Sequence, residues 1–263
     1  MLKISSTARI PLKTFNNSGS VQQRIEYAKN LNAKFYEKLK TKIKYESISV
    51  KDYAKVLEEV LPENILAELH IKEKSLFNEY AGRLLIDGDE KNGVTNYILV
   101  LPYKKFIPKK NETEEDAKRI LLDDMCIAMH ENFHLFSSIC NPKFVTRQLF
   151  YSQKENYIYK NYMYTNLHNN FNFINKLRWK NGLKGFLKTL STEDRINFLQ
   201  NCRYRLTEEN IAYQEGAKYG ENKFNTKYFY FEEKIKIIEK QLYKTIQEAR
   251  KDLQEKQVKN EGK

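Results

Sequence analysis

Only three cysteines, Cys126, Cys140 and Cys202, occur in the 263 residues of this chain. So small and odd a number builds no disulfide framework. It argues against a disulfide-built secreted fold and suits a reducing compartment. No apolar run approaches the ~18 residues of a membrane-spanning helix, so no span is expected. Residues 1–20 lack the apolar core of a signal peptide; they are polar and read as a flexible tail. The expected location is the cytoplasm, or beyond it by a route that needs no signal peptide. Internal repeats and recognised DNA- or RNA-binding motifs are missing too. Histidine is scarce, with only His70, His130, His134 and His168.

Charge is plentiful. The formal net charge is +12, unevenly spread along the chain. Residues 111–140 carry two basic and seven acidic side chains, a balance of −5. Residues 141–206 carry twelve and three, a balance of +9. Tyr, Phe and Trp179 are interleaved with the lysines and arginines of that second segment. A basic, aromatic stretch attracts acidic proteins or nucleic acid through its field and its ring faces.

Two of the four histidines stand four apart, in His130-Glu131-Asn132-Phe133-His134. On an α-helix that spacing puts both imidazoles on one face. The pattern His-Glu-x-x-His is the core of the zinc metallopeptidase site, with the histidines on the metal. Glu131 lies about 100° further round the helix, within reach of a metal-bound water. Zinc lowers the pKa of such a water toward ~7, and the glutamate takes its proton.

The surrounding pattern predicts mostly helix. Val21, Ile25, Ala28, Leu31, Phe35, Leu39 and Ile43 recur every three or four residues, an amphipathic helix over 21–44. Ser49-Val50-Lys51-Asp52 resembles a capping box that opens a short helix ending near Leu61. Another short helix is expected from Glu63 to about Ile71. Residues 82–87 and 95–101 read as strands joined through Asn92-Gly93, the second ended by Pro102. They form an antiparallel hairpin, and the strand at 95–101 is placed to pair with extended substrate. Thr113, Glu114, Glu115 and Asp116 start a helix with no Gly or Pro before Cys140. Helices are expected across 143–180 and from Ser191 to about Arg203, with Thr207 capping another over 208–219. Ile235, Ile238, Leu242, Ile246, Ala249 and Leu253 stripe a long charged C-terminal helix.

A catalytic zinc usually has three protein ligands. Candidates for the third are Glu209, the adjacent Glu208 if the helix phase shifts, Cys140 and His168. Around Thr207-Glu208-Glu209-Asn210-Ile211-Ala212-Tyr213 the chain resembles the gluzincin clan of metallopeptidases, which includes thermolysin-like enzymes. The resemblance implies Glu209 as the third ligand, on a helix downstream of the histidines. It also implies close helix approach at Ala212, three residues later, and Gly216 and Gly220 extend that stripe of small residues. Several families of the clan have an aspartate four after the glutamate to orient a histidine. Tyr213 stands there instead, which leaves Asp123, Asp124 or a backbone carbonyl for that task. Tyr204, Arg205, Tyr213 and Tyr219 are candidates to stabilise an oxyanion.

These readings give an α+β, mainly helical zincin-like metallopeptidase domain with a small antiparallel sheet before the active-site helix. Residues 1–20 form the tail. Residues 21–228 form the catalytic domain: a helical part 21–80, the sheet and HExxH helix 81–140, and a helical part 141–228. Residues 229–263 form the long charged helix and its tail. The expected cofactor is Zn2+, held by His130, His134 and Glu209. Glu131 is the general base, and the substrate is a protein or peptide. The same features suit an effector- or toxin-like protease. The alternative is a basic nucleic-acid-binding or protein-interaction module acting through 141–206, with its metal non-catalytic or absent.

Overall fold

The computed structural model describes residues 2–5, 21–61, 65–73, 82–89, 93–140, 182–219 and 225–261. They form two units. The first comprises Met1–Gln153 and Ala212–Lys223, the second Lys154–Ile211 and Phe224–Lys263. The chain is mixed α+β and mainly helical, with a small sheet. Among the described residues no helix is long and apolar enough to cross a membrane.

The first unit carries the sheet. Its strands are β1 (Leu2–Ser5), β2 (Ser47–Ser49), β3 (Leu66–Glu73), β4 (Arg83–Asp89), β5 (Gly93–Lys105) and β6 (Lys118–Leu121). The order is β1-β3-β5-β6-β2, with β4 also paired to β5. The expected hairpin is β4–β5, antiparallel. However, β3 runs parallel to β5, so the sheet is mixed rather than antiparallel. The helix expected from Glu63 to about Ile71 is strand β3. Ile65, Ala67 and Leu69 are buried while Glu68 and His70 are part-exposed, the period of two that a strand imposes. Leu2–Ser5, expected within the flexible tail, pair with β3; residues 6–20 lie outside the described set.

Strand β5 also passes Pro102, where it was expected to end. Its ladder with β4 stops at Val100, and its ladder with β6 begins at Lys104. Pro102 therefore falls in the gap between two partners, where a missing N–H costs no ladder bond on that side.

The helices of this unit are α1 (Val21–Lys40), α2 (Val50–Val60), the four-residue α3 (Glu114–Ala117) and α4 (Leu122–Cys140). Helix α1 ends one turn before the expected Lys44, and Ile43 falls outside it. Ser49 caps α2, accepting from Asp52 N–H at 3.0 Å. Thr113 and Asp116 form a capping box, but the helix they open is only α3. Residues 118–121 then leave the helix as β6, which lies between β5 and β2. The single helix expected over 114–140 is thus two helices with a strand between them. Two waiting strand partners outweigh local helix propensity there.

Helix α4 packs against α1 and β5. Ile25, Ala28, Leu31, Asn32, Phe35 and Leu39 line the buried face of α1. The Phe35 ring meets Tyr53 of α2 edge-on at 5.0 Å and lies 6.4 Å from Phe136 of α4. Nearly every residue of α4 from Asp124 to Cys140 is buried, which makes it the central rod of the unit.

The second unit contains a short helix at 182–187, the first five turns of α5 (Thr192–Ala217), and α6 (Asn225–Glu261). Thr207 caps nothing; it lies inside the continuous 26-residue α5. No Gly or Pro interrupts the helix before Gly216, and Leu199, Cys202 and Leu206 keep one stripe buried. Ser191 serves as the start signal, accepting from Asp194 N–H at 3.1 Å. Helix α6 begins four residues before the expected 229. Its stripe holds Ile238 and Leu242 as expected, and also Thr245 and Lys234. Ion pairs Arg203–Glu239 and Arg195–Glu248 tie α6 to α5.

Lys234 is 2 % exposed, and burial pulls its amine down from 10.5 to about 7. Above the unfolded pKa both states are neutral and nothing is lost. As pH falls from about 10.5 to about 7, the unfolded chain takes up the proton first, so stability drops through that window. Lys234→Met keeps the aliphatic stem without the charge. The variant is expected to be more stable near pH 7 by on the order of a few kcal/mol. Its melting temperature should also depend less on pH between 7 and 9.5 than the parent's. Parallel melting curves across that range would refute the assignment.

Candidate metal centre

The helical geometry of α4 places His130 and His134 one turn apart on the same face. Their Nε2 atoms lie 3.1 Å from each other. Two imidazoles that bind one tetrahedral ion at ~2.0–2.1 Å hold their nitrogens about 3.3 Å apart. The pair is therefore close to the spacing that a shared ion requires. Both rings are almost fully buried, which holds them in place.

The third group arrives on α5. The last turn and a half of that helix, Ala212–Ala217, belongs to the first unit. There it is pressed onto α4. A Cβ added to Gly216 would lie 2.5 Å from the Cys126 carbonyl oxygen and 3.3 Å from His130 Cβ. Only a glycine admits that approach. Buried Asn32 fastens the same turn: its Nδ2 donates to Glu215 Oε2 at 3.1 Å and reaches Met129 O at 3.4 Å. Glu215 also pairs with Lys218. The Tyr213 ring meets the His130 ring edge-to-face at 4.4 Å. With this turn seated, the 1.5 Å rise per residue of a helix fixes Glu209 one turn upstream of Tyr213. His130, His134 and Glu209 each offer a ligand atom, and these atoms all lie within 4.8 Å of one another.

The rivals for the third position are engaged elsewhere. Glu208 is buried and takes a 3.0 Å ion pair from Arg205, the helix ion pair read for that arginine with a different partner. Cys140 is buried, and burial pushes its thiol up to about 12, with Arg24 pulling weakly the other way. Cys140 is not part of the His130, His134 and Glu209 group. His70 pairs with Glu68 on β3 at 2.9 Å. His168 and most of the basic segment 141–206 lie outside the described residues.

Glu131 is 7 % exposed, and the chain entering β4 runs close beside it. A Cβ at Gly82 would fall 2.7 Å from Glu131 Cγ and 2.9 Å from Ile127 Cγ2. The absent side chain gives Glu131 its room. Burial holds the Tyr53 hydroxyl well above the usual range, and the Glu131 charge adds to the rise.

One expectation changes here. The strand at 95–101 is not an edge: β3 covers one side of it and β4 the other. Among the described residues, β4 is the outer strand of that hairpin. Tyr213, an oxyanion candidate that stands where several families of the clan have an aspartate, packs its ring on His130. Tyr219 stacks on Tyr36 at 3.9 Å, and burial, aided by Glu215, pushes its hydroxyl up to about 12. No sequence signal marked Asn32 or Gly82 as supports of the centre.

Compared with protein-family models, curated proteins and solved structures, the chain matches none.

Proposed function

We propose that this chain is a zinc-dependent metallopeptidase of zincin type, most like the gluzincin clan. The observation that carries the proposal is the convergence of His130, His134 and Glu209, with Glu131 next in sequence to the first of them. Two neutral imidazoles and one carboxylate are a donor set typical of catalytic zinc, and they leave a position for water or substrate. When bound, zinc supplies a Lewis acid that polarises a carbonyl and acidifies a water.

The chain's own residues do the rest. His130 and His134 stay oriented because their helix is buried and Tyr213 packs on the first ring. Glu131 accepts a proton from the attacking water and delivers it to the leaving amine. The chain entering β4 passes Glu131, so the edge of β4 that no strand among the described residues covers would offer an extended peptide a backbone ladder near that carboxylate. This role passes to β4 from the strand at 95–101.

The test is metal analysis of the purified full chain, with metal added back after chelation. About one zinc ion per chain is expected. His130→Ala, His134→Ala and Glu209→Ala should each lose it, and Glu208→Ala should keep it. A folded protein that carries no zinc and rejects added zinc would overturn the reading. Retention by Glu209→Ala with loss by Glu208→Ala would reassign the third ligand.

A further inference from the structure

Far from the metal centre in sequence, two loops flanking the β5–β6–β2 ladder expose apolar side chains. Ile107 is 93 % exposed and Tyr45 is 90 % exposed, with Phe106 at 37 %. The loops meet at Lys109, whose Nζ stands 5.7 Å over the Tyr45 ring, while Lys104 Nζ stands 5.7 Å over that of Phe106. Residues 104–110, Lys-Lys-Phe-Ile-Pro-Lys-Lys, are all exposed. Lysine pairs thus bracket an apolar tip.

The Tyr45 loop is held at a conformational cost. Lys44 and Ser47 exchange backbone hydrogen bonds of 2.9 and 3.1 Å around a two-residue turn. Tyr45 and Glu46 fill it with φ of 51° and 58°. Such a turn favours Asn-Gly, because both central residues need positive φ. Keeping a bulky tyrosine there, almost wholly in water, is strain without packing in return.

The nearby acids are largely engaged. Glu114 pairs with Lys105, Glu112 with Arg119, and Asp116 serves the Thr113 cap. Exposed Lys42, Lys44, Lys104, Lys109 and Lys110 outnumber the remaining exposed acids Glu46, Glu73, Glu115 and Asp123.

We propose that this tip docks the protein on an anionic lipid surface. An apolar point with a basic collar matches the layering of a membrane interface. Ile107, Pro108 and Phe106 enter the acyl boundary, Tyr45 sits at headgroup depth, and the lysines meet the phosphates. Nucleic acid fits less well, since Ile107, the most exposed of these apolar side chains, has no ring to stack on a base. An acidic peptide would need a groove, and a protruding tip provides none.

The experiment is co-sedimentation of the full chain with vesicles of phosphatidylcholine alone, or with about 30 % phosphatidylserine. Binding is expected only to the anionic vesicles, weakening as salt is raised toward ~0.5 M. Ile107→Ser and Tyr45→Ser, both at exposed positions, should each lower the partition coefficient, for Ile107 by about tenfold or more, with circular dichroism unchanged. No binding to anionic vesicles would overturn the proposal. Binding indifferent to phosphatidylserine, or to both substitutions, would also overturn it. Retention of a single-stranded oligonucleotide in place of vesicles would assign the lysines to nucleic acid.

Discussion

Glu131→Gln is expected to bind zinc as the parent does and to cleave peptide about 10²–10⁴-fold more slowly. The amide keeps the shape of the side chain, including the Cγ that sits against Gly82. Packing of α4 and the spacing of the two imidazoles should therefore be unchanged. What disappears is an acceptor able to hold a proton between attack on the carbonyl and departure of the amine. A structural role for Glu131 predicts the opposite pattern, a loss of stability with little specific loss of turnover. Zinc analysis, a melting curve and single-turnover cleavage of a peptide library separate the two. A variant with full activity would falsify the mechanism while leaving the metal centre standing.

Gly216→Ala is the second large effect. The added methyl would meet the Cys126 carbonyl oxygen at 2.5 Å, and that oxygen is backbone of a buried helix. In the helical ladder the same carbonyl receives the N–H of His130, so α4 cannot yield without moving a ligand. Helix α5 must retreat instead. Overpacking of this kind costs about 1–3 kcal/mol in stability. The retreat also draws Glu209 away from the imidazoles, since both ride on one helix. Zinc affinity is expected to fall by about 10–100-fold, as when a metal site loses its supporting contacts. Gly185→Ala is the matched control. It lies in the helix at 182–187, and nothing stands within 4 Å of its added Cβ. Alanine there should be neutral or stabilising by about 0.5–1 kcal/mol. Equal zinc affinity in the Gly216→Ala protein, by competition with a chromophoric chelator, would refute the close-approach account.

The contrast between these two residues shows what could be read in advance. His130, Glu131 and His134 were legible because their geometry is local: 3.6 residues per turn converts their spacing into a shared face. The caps at Ser49 and Ser191 were legible for the same reason, each resting on bonds within four residues. Strand β3 was misread because its Leu, Ala and Glu favour helices, while its pairing partners β1 and β5 are distant in sequence. Strand β6 carries no local signal at all. Four residues became a strand because β5 and β2 offered edges on either side. Which strand is outermost was equally non-local: among the described residues it is β4 rather than the strand at 95–101.

By itself, the amino-acid sequence determined that His130 and His134 share one face of α4, that this helix is buried and that Glu131 follows the first histidine. Those properties need only helical periodicity and side-chain chemistry. Tertiary structure alone brought a ligand atom of Glu209 within 4.8 Å of those of the two histidines, while Glu208 pairs with Arg205. It also decided that Tyr213 packs on His130, and that Asn32 and Gly82 hold the centre together. Those are contacts between residues as far as 183 apart in the chain, and no local pattern encodes them.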